Sequence, residues 1–163
     1  MDNEKEISKE ELHKEIDLIQ SCINRMANNS FLLKGWTVSL IAVILALSPD
    51  DIDGFVVTVA VFVTTVSFWY LDAFFFRTER MYRKMYNWVL KNREQGNKKY
   101  QYDLNPQRFA NEVPSIWNTM RSNTLSLFYG MFLLGTLIIL MYYLFPYYKG
   151  YILTVWNFLS NMI

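Results

Sequence analysis

Three long apolar runs separate the charged parts of this chain. They cover residues 31–48, 52–71 and 124–145, and are 18, 20 and 22 residues long. An α-helix needs about 20 mainly apolar residues to cross the hydrocarbon core of a bilayer. The sequence therefore predicts an all-α, polytopic membrane protein with three transmembrane helices and cytoplasmic helical extensions. A soluble helical protein is disfavoured, because 163 residues offer little else to bury such runs.

We predict a single membrane domain over 1–163. Its predicted parts are an amphipathic cytoplasmic helix at 8–30, a first span at 31–48, a second span at 54–76 that continues as a cytoplasmic helix to 94, a cytoplasmic linker with a short helix at 95–121, and a third span at 122–145. The stretch 150–163 follows Pro146 and Gly150. It is short for a span, so it is either an interfacial helix or a short fourth transmembrane helix.

Local signals refine these boundaries. Ser8 and Glu11 fit a capping box, which predicts a helix start, although 28–30 can interrupt that helix at the membrane surface. Gly96 ends the second helix, and Asn105-Pro106 is typical of the N-cap and first residue of a short helix. Pro114-Ser115 is expected to open the helix that becomes the third span.

The distribution of basic residues predicts the topology. Of the 16 lysines and arginines, five lie before or just inside the first run, ten lie in 77–121, and one follows the third run. The loop 49–54 has no basic residue and contains three aspartates. Because cytoplasmic loops are enriched in Lys and Arg, we expect the N-terminus and 77–121 in the cytoplasm and the acidic loop outside. The predicted location is the bacterial inner membrane.

Two faces are candidates for self-association. The first is a heptad-like apolar stripe in the N-terminal helix, made of Leu12, Ile16, Ile19, Ile23 and Met26. Such a stripe can join two chains, or it can pack within one chain against the helix that follows residue 76. The second is a face of small residues on the third helix, made of Ser122, Ser126 and Gly130, which we expect to be packed.

Asp72 is the strongest single candidate for a functional residue, because a carboxylate within a membrane is costly and often functional. We expect it to pair with Lys34 or Arg25, or alternatively to serve as a proton or ion site. A basic group follows it and is expected to contact lipid headgroups or another anionic ligand; it comprises Arg77, Arg80, Arg83 and Lys84.

The sequence gives no support for catalysis, a metal or a cofactor. Cys22 is the only cysteine, which excludes a metal site with several cysteines. His13 is the only histidine, and the sequence gives no support for a Ser-His-Asp hydrolase built around it. The formal net charge of +1 does not suggest nucleic acid. We therefore expect no enzyme and no cofactor, and we expect membrane lipids, further copies of the chain and a cytoplasmic protein as partners.

The segments 24–36 and 68–86, with Tyr70-Leu71-Asp72-Ala73 and Glu79-Arg80, give a layout that resembles SLATT-type small membrane effectors of bacterial anti-phage systems. The resemblance covers about the first 95 residues, and the third span departs from it. It implies a non-enzymatic, self-associating effector or sensor subunit that perturbs the membrane or recruits a partner. A small ion or proton conduit using Asp72, and a passive scaffold for a cytoplasmic enzyme, are the alternatives.

Overall fold

The computed structural model describes residues 8–48 and 53–160, with side chains described as far as Phe145. The regular structure within these residues is entirely helical, and its elements are α1 (Lys9–Ala46), α2 (Gly54–Arg93), a 3₁₀ helix (Pro106–Glu112), α3 (Ile116–Met120) and α4 (Asn123–Ser160). Three helices are long and apolar enough to cross a membrane: α1, α2 and α4 as far as Phe145. The predicted fold class is confirmed.

Helix α1 begins at the predicted position and continues without a break. Ser8 is its N-cap, and the capping box with Glu11 is formed. The helix does not stop at 28–30, and the Ser30 hydroxyl donates to Asp72 of α2. Its 38 residues give a rod of about 57 Å.

Helix α2 is the central element. The Asp53 carboxylate caps it by accepting a hydrogen bond from the Phe55 N–H at 3.0 Å. It runs for 40 residues, about 60 Å, and Gly96 follows its end with a φ of 72°, where the sequence predicts the stop. α1, the 3₁₀ helix, α3 and α4 all pack against α2. The acidic residues Asp50 and Asp51 of the connection lie outside the described residues.

The segment before α4 differs from the prediction. Asn105 caps the 3₁₀ helix as expected, by accepting from the Gln107 N–H at 3.0 Å. Ser115, however, opens only the five-residue α3 and not the third span. The chain turns at 121–122, where the Arg121 N–H still bonds the Trp117 carbonyl at 3.2 Å, and α4 then starts at Asn123.

Helix α4 also extends further than expected. It passes through Pro146 and Gly150 and reaches Ser160, so the separate element predicted from 150 is the C-terminal part of α4. Proline removes one backbone donor, yet membrane helices tolerate it, because neighbouring groups and local adjustments satisfy the freed carbonyl. Residues 161–163 lie outside the described part.

Two hydrophobic clusters hold the helices together. The larger one lies in what we call the polar module, residues 8–29 and 77–113. Its buried members are Ile19, Cys22, Ile23, Met81, Tyr82, Met85, Val89 and Phe109. The smaller cluster joins α2 to α3 and α4 and consists of Ala73, Met120, Leu125 and Tyr129. The polar module therefore has a core of its own at one end of the α1–α2 hairpin.

Between the apolar parts of the helices the usual burial pattern is inverted. Thr37 and Thr65 are fully buried, and each hydroxyl donates to the carbonyl four residues earlier, at 2.7 Å and 2.8 Å. Large apolar side chains point outward instead, with Phe31 74%, Trp36 63% and Leu127 70% exposed. Small hydroxyl residues inside and apolar residues outside are the packing expected of helices surrounded by lipid.

Candidate functional site

Asp72 lies at the centre of a buried polar site between three helices. Its residue is 0% exposed, although it follows directly on an apolar run. It contacts Ser30 and Lys34 of α1 and Tyr129 of α4. Asp72 therefore sits where α2 meets both of its long neighbours.

Three side chains donate to the Asp72 carboxylate. Lys34 of α1 contacts Oδ2 with its Nζ at 2.5 Å, and Tyr129 of α4 donates its hydroxyl to the same oxygen at 3.1 Å. Ser30 of α1 donates to Oδ1. The Lys34 ammonium also donates to Ser30 Oγ at 3.1 Å. A buried carboxylate is costly unless it is paired and hydrogen-bonded, and both of its oxygens are satisfied here.

Aromatic side chains close the site on the α4 side. The Tyr129 ring stacks on Trp69 with centroids 6.0 Å apart, and the Trp69 indole N–H donates to the Met120 carbonyl at 3.0 Å. Tyr129 is itself 0% exposed. The sequence did not single out Tyr129, since it looks like one more aromatic residue in an apolar helix.

Of the two predicted cations, the site contains Lys34 and not Arg25. Arg25 lies nine residues, about 13 Å of helix, from Lys34, and its guanidinium contacts the Cys22 sulfur at 3.7 Å. The Lys34 side chain is 24% exposed, whereas that of Asp72 is 0% exposed. The pair is therefore buried at its anionic end and reaches the surface at its cationic end.

A second buried ion pair lies in the polar module, and the sequence analysis missed it. Arg93 at the end of α2 donates to Glu15 of α1 through Nε at 2.8 Å and Nη2 at 2.9 Å. Their side chains are 0% and 3% exposed. The Tyr102 N–H donates to Glu15 at 3.1 Å, and Arg93 donates to the Lys99 carbonyl at 3.1 Å. One pair thus joins α1, α2 and the loop after α2.

The four predicted headgroup residues have different surroundings. The Arg77 guanidinium donates to the carbonyls of Ala110 and Pro114, both at 2.9 Å. Arg80 lies over the Phe76 ring at 4.3 Å. Arg83 pairs with Glu79 at 2.7 Å, and Lys84 lies 3.9 Å from Glu112.

The N-terminal stripe packs within the chain, the second of the two alternatives. Ile19 and Ile23 are 1% and 9% exposed in the core of the polar module, and Leu12 and Met26 pack against that core. Ile16 is half-buried. Most of this stripe therefore packs against α2 within one chain.

The small-residue face of α4 is not the face that packs on α2. Leu125 and Tyr129 make that contact, whereas a Cβ added at Gly130 would meet no atom within 4 Å. The Ser126 hydroxyl donates to the Met120 carbonyl at 3.1 Å, and Ser122 Oγ is buried with no hydrogen-bond partner in the described part. Our expectation of close packing at Gly130 is thus not met within one chain.

Within 8–48 and 53–160, no group of three or more His, Cys, Asp or Glu side chains is arranged to hold a metal ion. His13 is exposed on α1. Comparisons with protein-family models, with curated proteins and with solved structures find no match to this chain.

Proposed function

We propose that this chain is a non-enzymatic, self-associating membrane effector or sensor subunit of a bacterial defence-type system. In this proposal the polar module receives a signal from a cytoplasmic partner. The membrane helices then respond by perturbing the bilayer or by recruiting further proteins.

The observation that carries the proposal is the continuity of α1 and α2. Each helix runs from the core of the polar module into its apolar half without a break, over 38 and 40 residues. A rigid helix transmits a displacement at one end to the other. The Lys34–Asp72 pair lies where the two parts meet, and Tyr129 extends the contact to α4. A shift of the module against α2 would therefore reach all three apolar helices.

Self-association is supported by the surface that the single chain leaves open. Exposed apolar residues cover α1, α2 and α4, and neither Gly130 nor Gly135 would bring an added Cβ within 4 Å of another atom. Small residues on an open helix face allow a second helix to approach closely. The resemblance of 24–36 and 68–86 to SLATT-type effectors, which are thought to assemble in the membrane, supports the same conclusion.

A membrane-potential assay tests this function. Expression in bacterial cells is expected to collapse the membrane potential, and the extracted protein is expected to be larger than a monomer in detergent. Asn28→Pro would break α1 between its two halves at an exposed position, because proline costs about 3 kcal/mol in a helix interior. We expect it to abolish depolarisation while the protein stays in the membrane.

Asn28→Ala is the matched control, since it changes the same side chain without bending the helix, and it is expected to behave like the wild type. A monomeric protein that leaves the membrane potential unchanged at high expression would contradict the proposal. Depolarisation by Asn28→Pro at the wild-type level would contradict the role of helix continuity.

We also propose that the protein lies in the inner membrane with its N-terminus in the cytoplasm. Ten of the 16 basic residues lie in 77–121, and the acidic connection 49–54 has none. In a Cys22→Ser background, Asp51→Cys is expected to react with a membrane-impermeant maleimide applied to intact cells, whereas Asn97→Cys reacts only after lysis. Asp51 spares the Asp53 cap of α2. The reverse labelling pattern would overturn the charge argument.

A further inference from the structure

A shallow cleft beside the basic part of α2 has the position and charge of a lipid site. Its volume is about 330 Å³, and its lining includes Arg80, Lys84, Glu112, Val113 and Pro114. One wall is α2, and the other is the segment 112–114 that leads into α3. We call this segment the strap.

The strap is held in place by Arg77. This guanidinium donates to the carbonyls of Pro114, the last residue of the strap, and Ala110, two residues before the strap, at 2.9 Å each. These bonds fix the wall but do not neutralise Arg77, because carbonyl oxygens carry no net charge and no carboxylate of the described residues pairs with this guanidinium. Arg77 therefore supports the cleft and adds to its positive potential.

The charge balance of the cleft is positive. Arg83 is paired with Glu79 at 2.7 Å. Lys84 and Glu112 lie 3.9 Å apart with side chains 48% and 55% exposed, a geometry in which an ion pair contributes little. The described part of the chain shows no carboxylate paired with Arg80, whose guanidinium lies over the Phe76 ring. Arg80 and Lys84 are therefore available to an anion.

The direction of these side chains fixes the depth of the cleft. In an α-helix the Cα–Cβ bonds tilt toward the N-terminus, which for α2 is its apolar end. The Arg80 guanidinium consequently lies at the level of Phe76, 4.3 Å from the ring centre. Trp117 of α3 comes three residues after the strap and is 69% exposed, and tryptophan is enriched at the level of lipid headgroups. Arg80 and the segment that follows the strap thus lie near the boundary between the apolar and polar parts of the chain.

We propose that this cleft binds the phosphate group of an anionic phospholipid in the leaflet next to the polar module. Arg80 and Lys84 would bind the phosphate, and Val113 with Pro114 would contact the glycerol end. The inference rests on the membrane insertion proposed above. Bound lipid would tie α2 to the strap, and thereby the polar module to the bilayer surface.

Lipid retention measures this binding. The protein is placed in nanodiscs with equal amounts of phosphatidylglycerol and phosphatidylcholine, released in the mass spectrometer, and the retained lipids are counted. One basic residue near the surface favours an anionic lipid by about 1 kcal/mol, or about fivefold, so two residues predict a preference of about thirtyfold for phosphatidylglycerol. In the double variant Arg80→Gln plus Lys84→Gln, the preference for phosphatidylglycerol is expected to fall below about twofold.

The matched control is Lys9→Gln plus Lys91→Gln, which removes the same charge from exposed positions at the far end of the module. Lys91 lies about 22 Å along α2 from Phe76, which marks the level of the Arg80 guanidinium, and this distance exceeds the screening length of about 8–10 Å in salt. This control is expected to keep the wild-type preference. Arg80→Lys retains the charge and is expected to keep most of it, which separates binding from misfolding.

Three results would overturn the proposal: equal retention of both lipids by the wild type, equal losses in the test and control variants, or displacement of the lipid by millimolar inorganic phosphate. The last result would assign the cleft to a soluble anion. Resistance to alkaline carbonate extraction, measured on the same proteins, reports insertion separately. A protein that resists extraction without lipid preference would refute the lipid site alone.

Discussion

Arg93→Met is expected to lower the free energy of unfolding of the polar module by about 3–5 kcal/mol, because it leaves the buried Glu15 carboxylate without its cation. Among the described residues, the donor left to Glu15 would be the Tyr102 N–H, 3.1 Å away. The pair joins residues 78 positions apart, so its loss also releases the first turns of α1 from α2. Amide hydrogen exchange of the protein in detergent is expected to accelerate at 9–20.

The loop after α2 should loosen in the same variant. Tyr100 and Tyr102 both have a φ of 59°, a left-handed conformation that is unfavourable for bulky residues. Surrounding contacts must hold such a conformation, and the bonds of Glu15 to Tyr102 and of Arg93 to Lys99 are among them. We therefore expect proteolytic cleavage at 97–103 to become faster.

Two comparisons make this result specific. Lys14→Met breaks an exposed pair with Glu10, at 3.8 Å and with side chains 70% and 82% exposed, and it is expected to leave stability unchanged. Glu15→Leu combined with Arg93→Met removes both charges and should recover part of the stability lost in Arg93→Met. A single variant as stable as the wild type would show that the pair does not hold the module together.

Three of the helix boundaries were predictable because their causes are local. The capping box at Ser8 and Glu11, the cap at Asn105 and the stop near Gly96 each depend on a few neighbouring residues. The end of α4 was not predictable in this way. Pro146 marks a helix end in water, but a helix among apolar neighbours has no competing solvent for its carbonyls.

The long-range pairs were predictable only where a residue was conspicuous. Asp72 drew attention because it interrupts apolar surroundings, and the hairpin then brings Lys34 to its level rather than Arg25. Glu15 and Arg93 lie in charged segments, where any single charge looks solvated. The register of α1 against α2 decides their burial, and periodicity alone does not give that register.

Lys34→Met is expected to cost about 3–5 kcal/mol, and Asp72→Asn only about 1–2 kcal/mol. The asymmetry follows from burial, since the Asp72 side chain is 0% exposed and that of Lys34 is 24% exposed. Without Lys34, the carboxylate stays buried with Ser30 and Tyr129 as its remaining donors. Without the carboxylate charge, the lysine can extend its ammonium toward water or headgroups. Thermal unfolding in detergent measures the loss of stability in each variant. Equal losses in the two variants would mean that both ends of the pair are equally buried.

The same two variants decide between a structural pair and an ion or proton conduit. A conduit that uses Asp72 must lose its flux in Asp72→Asn, because an asparagine side chain carries no charge and cannot take up and release a proton as a carboxylate does. We expect any flux through the purified protein in liposomes to be the same in wild type and Asp72→Asn, at every pH at which both stay folded. Asp72 accepts from Lys34, Ser30 and Tyr129, so its oxygens are already occupied by side chains of the protein.

Loss of flux in a stable, correctly assembled Asp72→Asn protein would instead establish Asp72 as a conducting residue. The pair would then be a gate between α1, α2 and α4, and Lys34→Met would change the pH dependence of the flux.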